Sequence, residues 1–205
     1  MAMRFCQHIL GKTIITSDEK KIGKVYDLIT SRCYVFPKVS VAAIKPRRSS
    51  RSNVRIREII RSAKDRKRKS LVYLPWSTVN QIEKKNIFLK IDEAQWEKLC
   101  NRVQQEPRIR RKLSLAQDVL NEQVVDADGH FIDRVDDAKI EKIGSSWRVI
   151  GLDIGIEGAM ERLGFEKVLN KLGIKLPEKL VPWYLIERIT KKDKKLFLKI
   201  PAEIL

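Results

Sequence analysis

The sequence predicts a mainly β protein with short helices, arranged as two tandem copies of one small domain. Three observations carry that reading. Residues 14–28 (IITSDEKKIGKVYDL) recur as residues 124–138 (VVDADGHFIDRVDDA), with Ile14, Ile15, Ile22 and Val25 falling on Val124, Val125, Ile132 and Val135 at an offset of 110. A second block repeats Leu74-Pro75-Trp76 as Val181-Pro182-Trp183, then Ile87-Phe88-Leu89-Lys90-Ile91 as Leu196-Phe197-Leu198-Lys199-Ile200. The repeated runs are short, rich in β-branched residues and divided by turn residues, which is the strand signal. Their separation exceeds the period of solenoid repeats, so the chain reads as one small domain written twice. The predicted boundaries are 1–92 for the first domain, 93–112 for a linker helix and basic linker, and 113–205 for the second domain.

The elements follow in order. Ile14-Ile15 opens a strand, the polar run Thr16 to Lys21 turns the chain, and Ile22 to Ile29 alternates apolar and polar residues as a half-buried strand does. In the second copy the turn is Asp126-Ala127-Asp128-Gly129-His130, and Asp-Gly is a strong hairpin signal because Gly tolerates positive φ. Cys33 to Phe36 and Val39 to Ile44 are two β-prone runs broken at Pro37; their counterparts are Ala138 to Ile143 and Trp147 to Ile154, broken at Gly144-Ser145-Ser146. Each copy then carries an insertion, 46–70 in the first and 157–177 in the second. The latter spaces Met160, Leu163, Val168 and Leu172 for an amphipathic helix. A return pair, opening with Pro-Trp and closing with Phe-Leu-Lys-Ile, completes each copy. After the first, Asp92 and Gln95 have capping-box spacing, and Trp96, Leu99, Cys100 and Val103 share one helical face. Pro107 ends that helix. Pro201 to Leu205 stand where the repeat predicts a second such helix, which suggests a hand-over to a neighbouring domain.

Charge narrows the partners. The chain has 43 Lys and Arg against 26 Asp and Glu, a formal +17. That field favours polyanions such as RNA or an anionic lipid surface, or else marks a basic flank beside a membrane. The insertion 46–70 holds eleven basic residues, Arg47, Arg48, Arg51, Arg55, Arg57, Arg61, Lys64, Arg66, Lys67, Arg68 and Lys69, against two acids. These are the candidate polyanion-binding residues; the alternative is a solvated charged loop. Three scattered cysteines without a CxxC read as free thiols of a reducing compartment. No apolar run is long enough to span a bilayer and no secretory leader is visible. The expectation is therefore cytoplasmic, including the inner face of the membrane.

No catalytic constellation emerges. His8 lies in the lead-in and His130 in a turn, whereas nucleophilic catalysis needs an oriented base within hydrogen-bond reach. The reading is non-enzymatic, with no cofactor. Asp126, Asp128, Asp133, Asp136 and Asp137 are dense enough to suggest weak Mg²⁺ binding through hard oxygen ligands. Their spacing departs from the EF-hand, and turn acids on a solvated face are the alternative.

The hairpin Ile14 to Leu28 with Leu74 to Ile91, and Val124 to Ala138 with Val181 to Ile200, resembles the PRC-barrel domain. The second copy more closely resembles the cytosolic region of MgtE-type magnesium transporter relatives, through Leu113 to Leu120, Gln123 to Asp126, Arg134 to Asp137, Trp147 to Gly155 and Val181-Pro182-Trp183. Asp133 departs from the motif, which has Gly there, as at Gly23. The resemblance implies tandem PRC-type β-barrels serving as an adaptor or regulatory module, with a protein partner or neighbouring domain. The alternative is an RNA- or ribosome-associated protein that uses the basic 46–70 segment.

Overall fold

The computed structural model describes residues 2–31, 35–46, 71–104, 112–155 and 179–205. In chain order these form β1 (Ala2–Arg4), α1 (Phe5–His8), β2 (Thr13–Ile15), β3 (Lys21–Thr30), β4 (Val39–Pro46), β5 (Val72–Pro75), β6 (Val79–Ile82), β7 (Asn86–Leu89) and α2 (Glu93–Gln104). Then follow β8 (Leu113–Ser114), α3 (Leu115–Asp118), β9 (Gln123–Val125), β10 (Phe131–Ile143), β11 (Ser146–Ile154), β12 (Lys179–Pro182), β13 (Ile186–Thr190) and β14 (Lys195–Leu198). Single 3-10 turns occupy Trp76–Thr78, Trp183–Leu185 and Ala202–Ile204. The predicted helix 157–177 and most of the linker after α2 lie outside the described residues.

The chain divides into two compact units. One comprises His8–Ile29 and Ser40–Lys112, and its strands run in the order β5-β4-β3-β2-β7-β6. All neighbours on this path whose register is given are antiparallel except β2 and β7, which pair Thr13 with Asn86, Ile14 with Ile87 and Ile15 with Phe88. The core holds Ile14, Leu28, Ile44, Leu74, Ile87, Trp76 and Trp96, all out of contact with water. Helix α2 begins as its sequence predicts. Asp92 Oδ1 accepts the Gln95 amide at 2.7 Å, and Gln95 Oε1 accepts the Asp92 amide at 3.3 Å.

The other unit comprises Met1–Gln7, Thr30–Val39 and Leu113–Leu205. Its path is β12-β11-β10-β9-β14-β13, the same order, again with one parallel pair, β9 with β14. Leu115, Val124, Ile140, Leu152, Leu196 and Leu198 fill its core. The unit is discontinuous in sequence: β1 lies antiparallel on β10, pairing Ala2 with Glu141, Met3 with Ile140 and Arg4 with Lys139.

Two predictions need correcting. Among the described residues neither sheet closes into a barrel. Pro75 and Pro182 end β5 and β12 without an N–H to extend the ladder, and a 3-10 turn follows each. Second, the predicted boundary at Ala138 does not exist. β10 runs unbroken for 13 residues, with register shifts at Phe131/Asp133, Val135/Asp137 and Lys139/Ile140. These bulges bend the strand, so its front end pairs with β9 and the rest with β11, without a Gly or Pro to signal the change.

The departure at Asp133 has a counterpart in space. In the first copy a Cβ on Gly23 would sit 2.5 Å from the Lys45 carbonyl oxygen, so only glycine fits. In the second copy the residue at the place of Lys45 is Gly155, with φ +108, and a Cβ there would meet the Asp133 carboxylate at 3.5 Å. The glycine has moved to the other strand of the pair.

Candidate functional site

The predicted acids do not converge on one point. Asp126, Asp128 and His130 bring a ligand atom each within 4.8 Å of one another. Asp136 and Asp137 are buried further along β10, and Asp133 Oδ1 accepts the Arg134 amide at 2.8 Å.

Asp126 organises its turn. Its Oδ1 accepts the amides of His130 at 2.7 Å and Asp128 at 3.0 Å, while Gly129 takes φ +91. Its Oδ2 accepts the Ala202 amide at 3.3 Å and lies 3.6 Å from His130 Nδ1. Burial acts to raise the Asp126 pKa, but the His130, Ala202 and Asp128 amides and the His130 charge outweigh it, and the carboxyl lies below its ordinary range. In the first copy Thr16 occupies the equivalent position, and its Oγ1 accepts the Lys20 amide at 3.0 Å. There the helix amide, that of Glu93, goes instead to Asp18 Oδ1 at 3.3 Å. The Thr16 hydroxyl leads in holding the Asp18 pKa down, against burial and with help from the Asp18 and Glu93 amides and the Lys20 charge. In both copies a turn acid ties the hairpin to the chain leaving the last strand.

A second group of polar residues escaped the sequence reading. Asp137 and Asp153 are register partners on β10 and β11, and both are buried. Asp137 Oδ1 accepts the Cys6 amide at 2.8 Å and the Ala138 amide at 2.7 Å. Asp153 Oδ2 lies 2.9 Å from Arg4 Nε, an ion pair whose alignment falls short of a good hydrogen bond. The Cys6 thiol donates to the Asp136 carbonyl at 3.8 Å. Burial leads in raising the Asp137 pKa, opposed by the Cys6 and Ala138 amides and the Cys6 thiol and reinforced by the Asp153 charge. A signal did exist: Asp27 and Asp137 recur at the same place in the two copies, and both are buried. An acid at the same place inside a strand of both copies announces a partnered interior carboxylate.

Glu122 is a third buried acid. Its Oε2 meets no hydrogen-bond partner among the described residues. Burial leads in raising its pKa, with Asp118 adding and Lys194 and Arg134 opposing. Trp76 and Trp183 are core residues rather than base-stacking platforms. His130 is exposed.

The polyanion-binding candidates Arg47, Arg48, Arg51, Arg55, Arg57, Arg61, Lys64, Arg66, Lys67, Arg68 and Lys69 lie outside the described residues. No helix among the described residues is long and apolar enough to cross a membrane. No protein-family model matches the chain, and no curated protein matches it.

Proposed function

We propose that this chain is a non-enzymatic adaptor or regulatory module of two PRC-type units, working as an accessory part of a magnesium-transport-related protein on the cytoplasmic side. One observation carries the adaptor reading. The sheet built from the second copy takes β1 as an added strand, although the two are more than 130 residues apart in sequence. Its buried acids hold that strand and the residues after it: Asp153 pairs with Arg4 and Asp137 accepts the Cys6 amide. Strand addition to an exposed edge is a general way for sheets to capture peptide segments. Carboxylates so engaged serve attachment, whereas chemistry or cation binding needs their oxygens free. Co-elution of the full chain with the cytosolic region of an MgtE-type transporter in size-exclusion chromatography supports the reading. Separate elution at micromolar concentrations of both refutes the transporter assignment.

The charge surplus favours a second reading, an RNA- or ribosome-associated protein acting through residues 46–70, where eleven basic residues face two acids. Counterion release makes such binding strongly salt-dependent. Deleting 46–70 flattens the salt dependence of RNA binding under this reading. An unchanged slope removes it.

A further inference from the structure

In the unit around the second copy, strand register defines one outer face. Val125 on β9 pairs with Phe131 on β10 and with Phe197 on β14, and Phe197 pairs with Arg188 on β13. Cross-strand partners share a face, so these four side chains form one row. The next row on that face is Arg134, Gln123, Lys195 and Thr190, paired across the same strands. Phe131 and Arg134 share the face because the register shift between Phe131 and Asp133 inserts one residue. The row between them, with Val124 and Leu196 out of contact with water, points into the core.

The outer face is open and basic. Phe131 is 59% exposed, while Val125, flanked in register by the two phenylalanines, is 4% exposed. Arg134 and Arg188 are exposed, and Gln123, Lys195 and Phe197 are half-buried. The Arg188 guanidinium carbon lies 4.2 Å from the centroid of the Phe197 ring, a cation–π stack. Neither row contains an acid. Asp133 pairs with Val124 in the core-facing row, and Glu187 is the inserted residue at the register shift of β13. The turn between β13 and β14 adds exposed Lys192 and Lys194 against Asp193.

The first copy keeps the rows but not their chemistry. Lys21, Gln81 and Asn86 stand at the places of Phe131, Arg188 and Lys195 in the same register. The shared fold therefore does not require a ring, a guanidinium and a lysine there. A flat guanidinium held on one ring, a second ring two strands away at roughly 10 Å, and hydrogen-bonding groups between lysines are what unstacked bases and their phosphates contact. One open ring offers a membrane little apolar area to take in.

We infer that this face of the second unit binds single-stranded RNA, with bases stacked on Phe131 and on the Arg188–Phe197 pair and phosphates against Lys195 and the lysines of the 191–194 turn. The inference rests on the RNA reading and gives it a surface distinct in sequence from residues 46–70.

The probe is a fluorescein-labelled oligouridine of about 12 nucleotides, titrated into the full chain and followed by fluorescence anisotropy. Phe131→Ala and Arg188→Ala are each expected to weaken binding about tenfold. Phe131→Tyr keeps the affinity, and Phe131→Lys loses it despite the added charge. Phe131→Ala leaves the salt dependence unchanged, whereas Lys195→Ala lowers its slope by about one. Phe131 and Arg188 are exposed, so their replacement leaves the fold in place, which circular dichroism checks. Affinity indifferent to both Phe131→Ala and Arg188→Ala overturns the inference. If deletion of 46–70 abolishes binding in that case, the RNA reading stands and only this face falls. No binding of oligouridine by the full chain overturns both. Binding to vesicles of phosphatidylcholine and phosphatidylglycerol that depends on Phe131, with oligouridine affinity indifferent to it, also overturns the inference, because a membrane then occupies the face.

Discussion

Asp137 and Asp153 stand directly opposite each other on β10 and β11, two buried carboxylates in one cross-strand pair. Like charges so placed repel. The N-terminal segment resolves the conflict by placing Arg4 Nε 2.9 Å from Asp153 and the Cys6 amide 2.8 Å from Asp137. Replacing Asp137 separates its two roles. Asp137→Asn keeps an acceptor for the Cys6 and Ala138 amides and removes the repulsion, so its thermal midpoint at neutral pH equals or exceeds that of the wild type. Asp137→Ala strands two donors and loses about 2–4 kcal/mol, measured by urea unfolding.

Arg4→Met tests the other half of the pair. It keeps much of the stem and removes the cation, which leaves Asp153 buried without its counter-charge. The cost is about 3 kcal/mol in chemical denaturation. The double variant Arg4→Met with Asp153→Leu recovers most of it, since a buried pair can be exchanged for apolar side chains of similar volume.

The pH dependence follows from two shifts of opposite sign. The folded-state pKa of Asp137 is raised above its ordinary 3.8, mainly by burial. Its contribution to stability is intact below that value and is lost as pH rises through the folded pKa. The pKa of Asp126 is lowered from 3.8, its amide hydrogen bonds and the His130 charge outweighing burial, so its contribution is present above 3.8 and lost as pH falls through the folded value. Thermal melts from about pH 3 to about pH 7 check both signs. Asp137→Asn removes part of the decline on the neutral side, and Asp126→Asn removes part of the decline on the acid side.

The two hairpin turns differ at one backbone position. Gly129 has φ +91, and Glu19 at the equivalent place has φ +62. A side chain in the left-handed region costs roughly 1–2 kcal/mol. Gly129→Ala therefore destabilises by about 1 kcal/mol, and Glu19→Gly is neutral to stabilising by a few tenths after the entropy of glycine is counted. Differential scanning calorimetry of the two variants checks the asymmetry.

The repeat made most strands legible, because apolar alternation and the Pro-Trp return recur at nearly constant offsets; the order was not, since β5 pairs with β4 while β7 lies between β2 and β6. The capping box at Asp92 and Gln95 was equally plain, since a cap is local chemistry. What hid was non-local. Nothing around Ala2 to Cys6 announces a strand that belongs with residues 139–141, and Arg4 finds Asp153 only after the chain has folded. The strand boundary at Ala138 failed because bulges bend a strand without changing its composition. The five aspartates looked like one cluster because strand neighbours are close in sequence, yet Asp136 and Asp137 are buried at the Val135/Asp137 bulge of β10, apart from the turn that brings Asp126 and Asp128 together.

Native-state hydrogen exchange of the full chain tests the central claim most directly: residues 2–6 are an integral part of the sheet assembled from the second copy. The account predicts that the Cys6 amide, bonded to Asp137 Oδ1, exchanges as slowly as the core amides of β10, and that Asp137→Ala accelerates it while the amides of β2 and β7 keep their rates. Exchange of the Cys6 amide at the rate of an open chain, with β10 still protected, would contradict it.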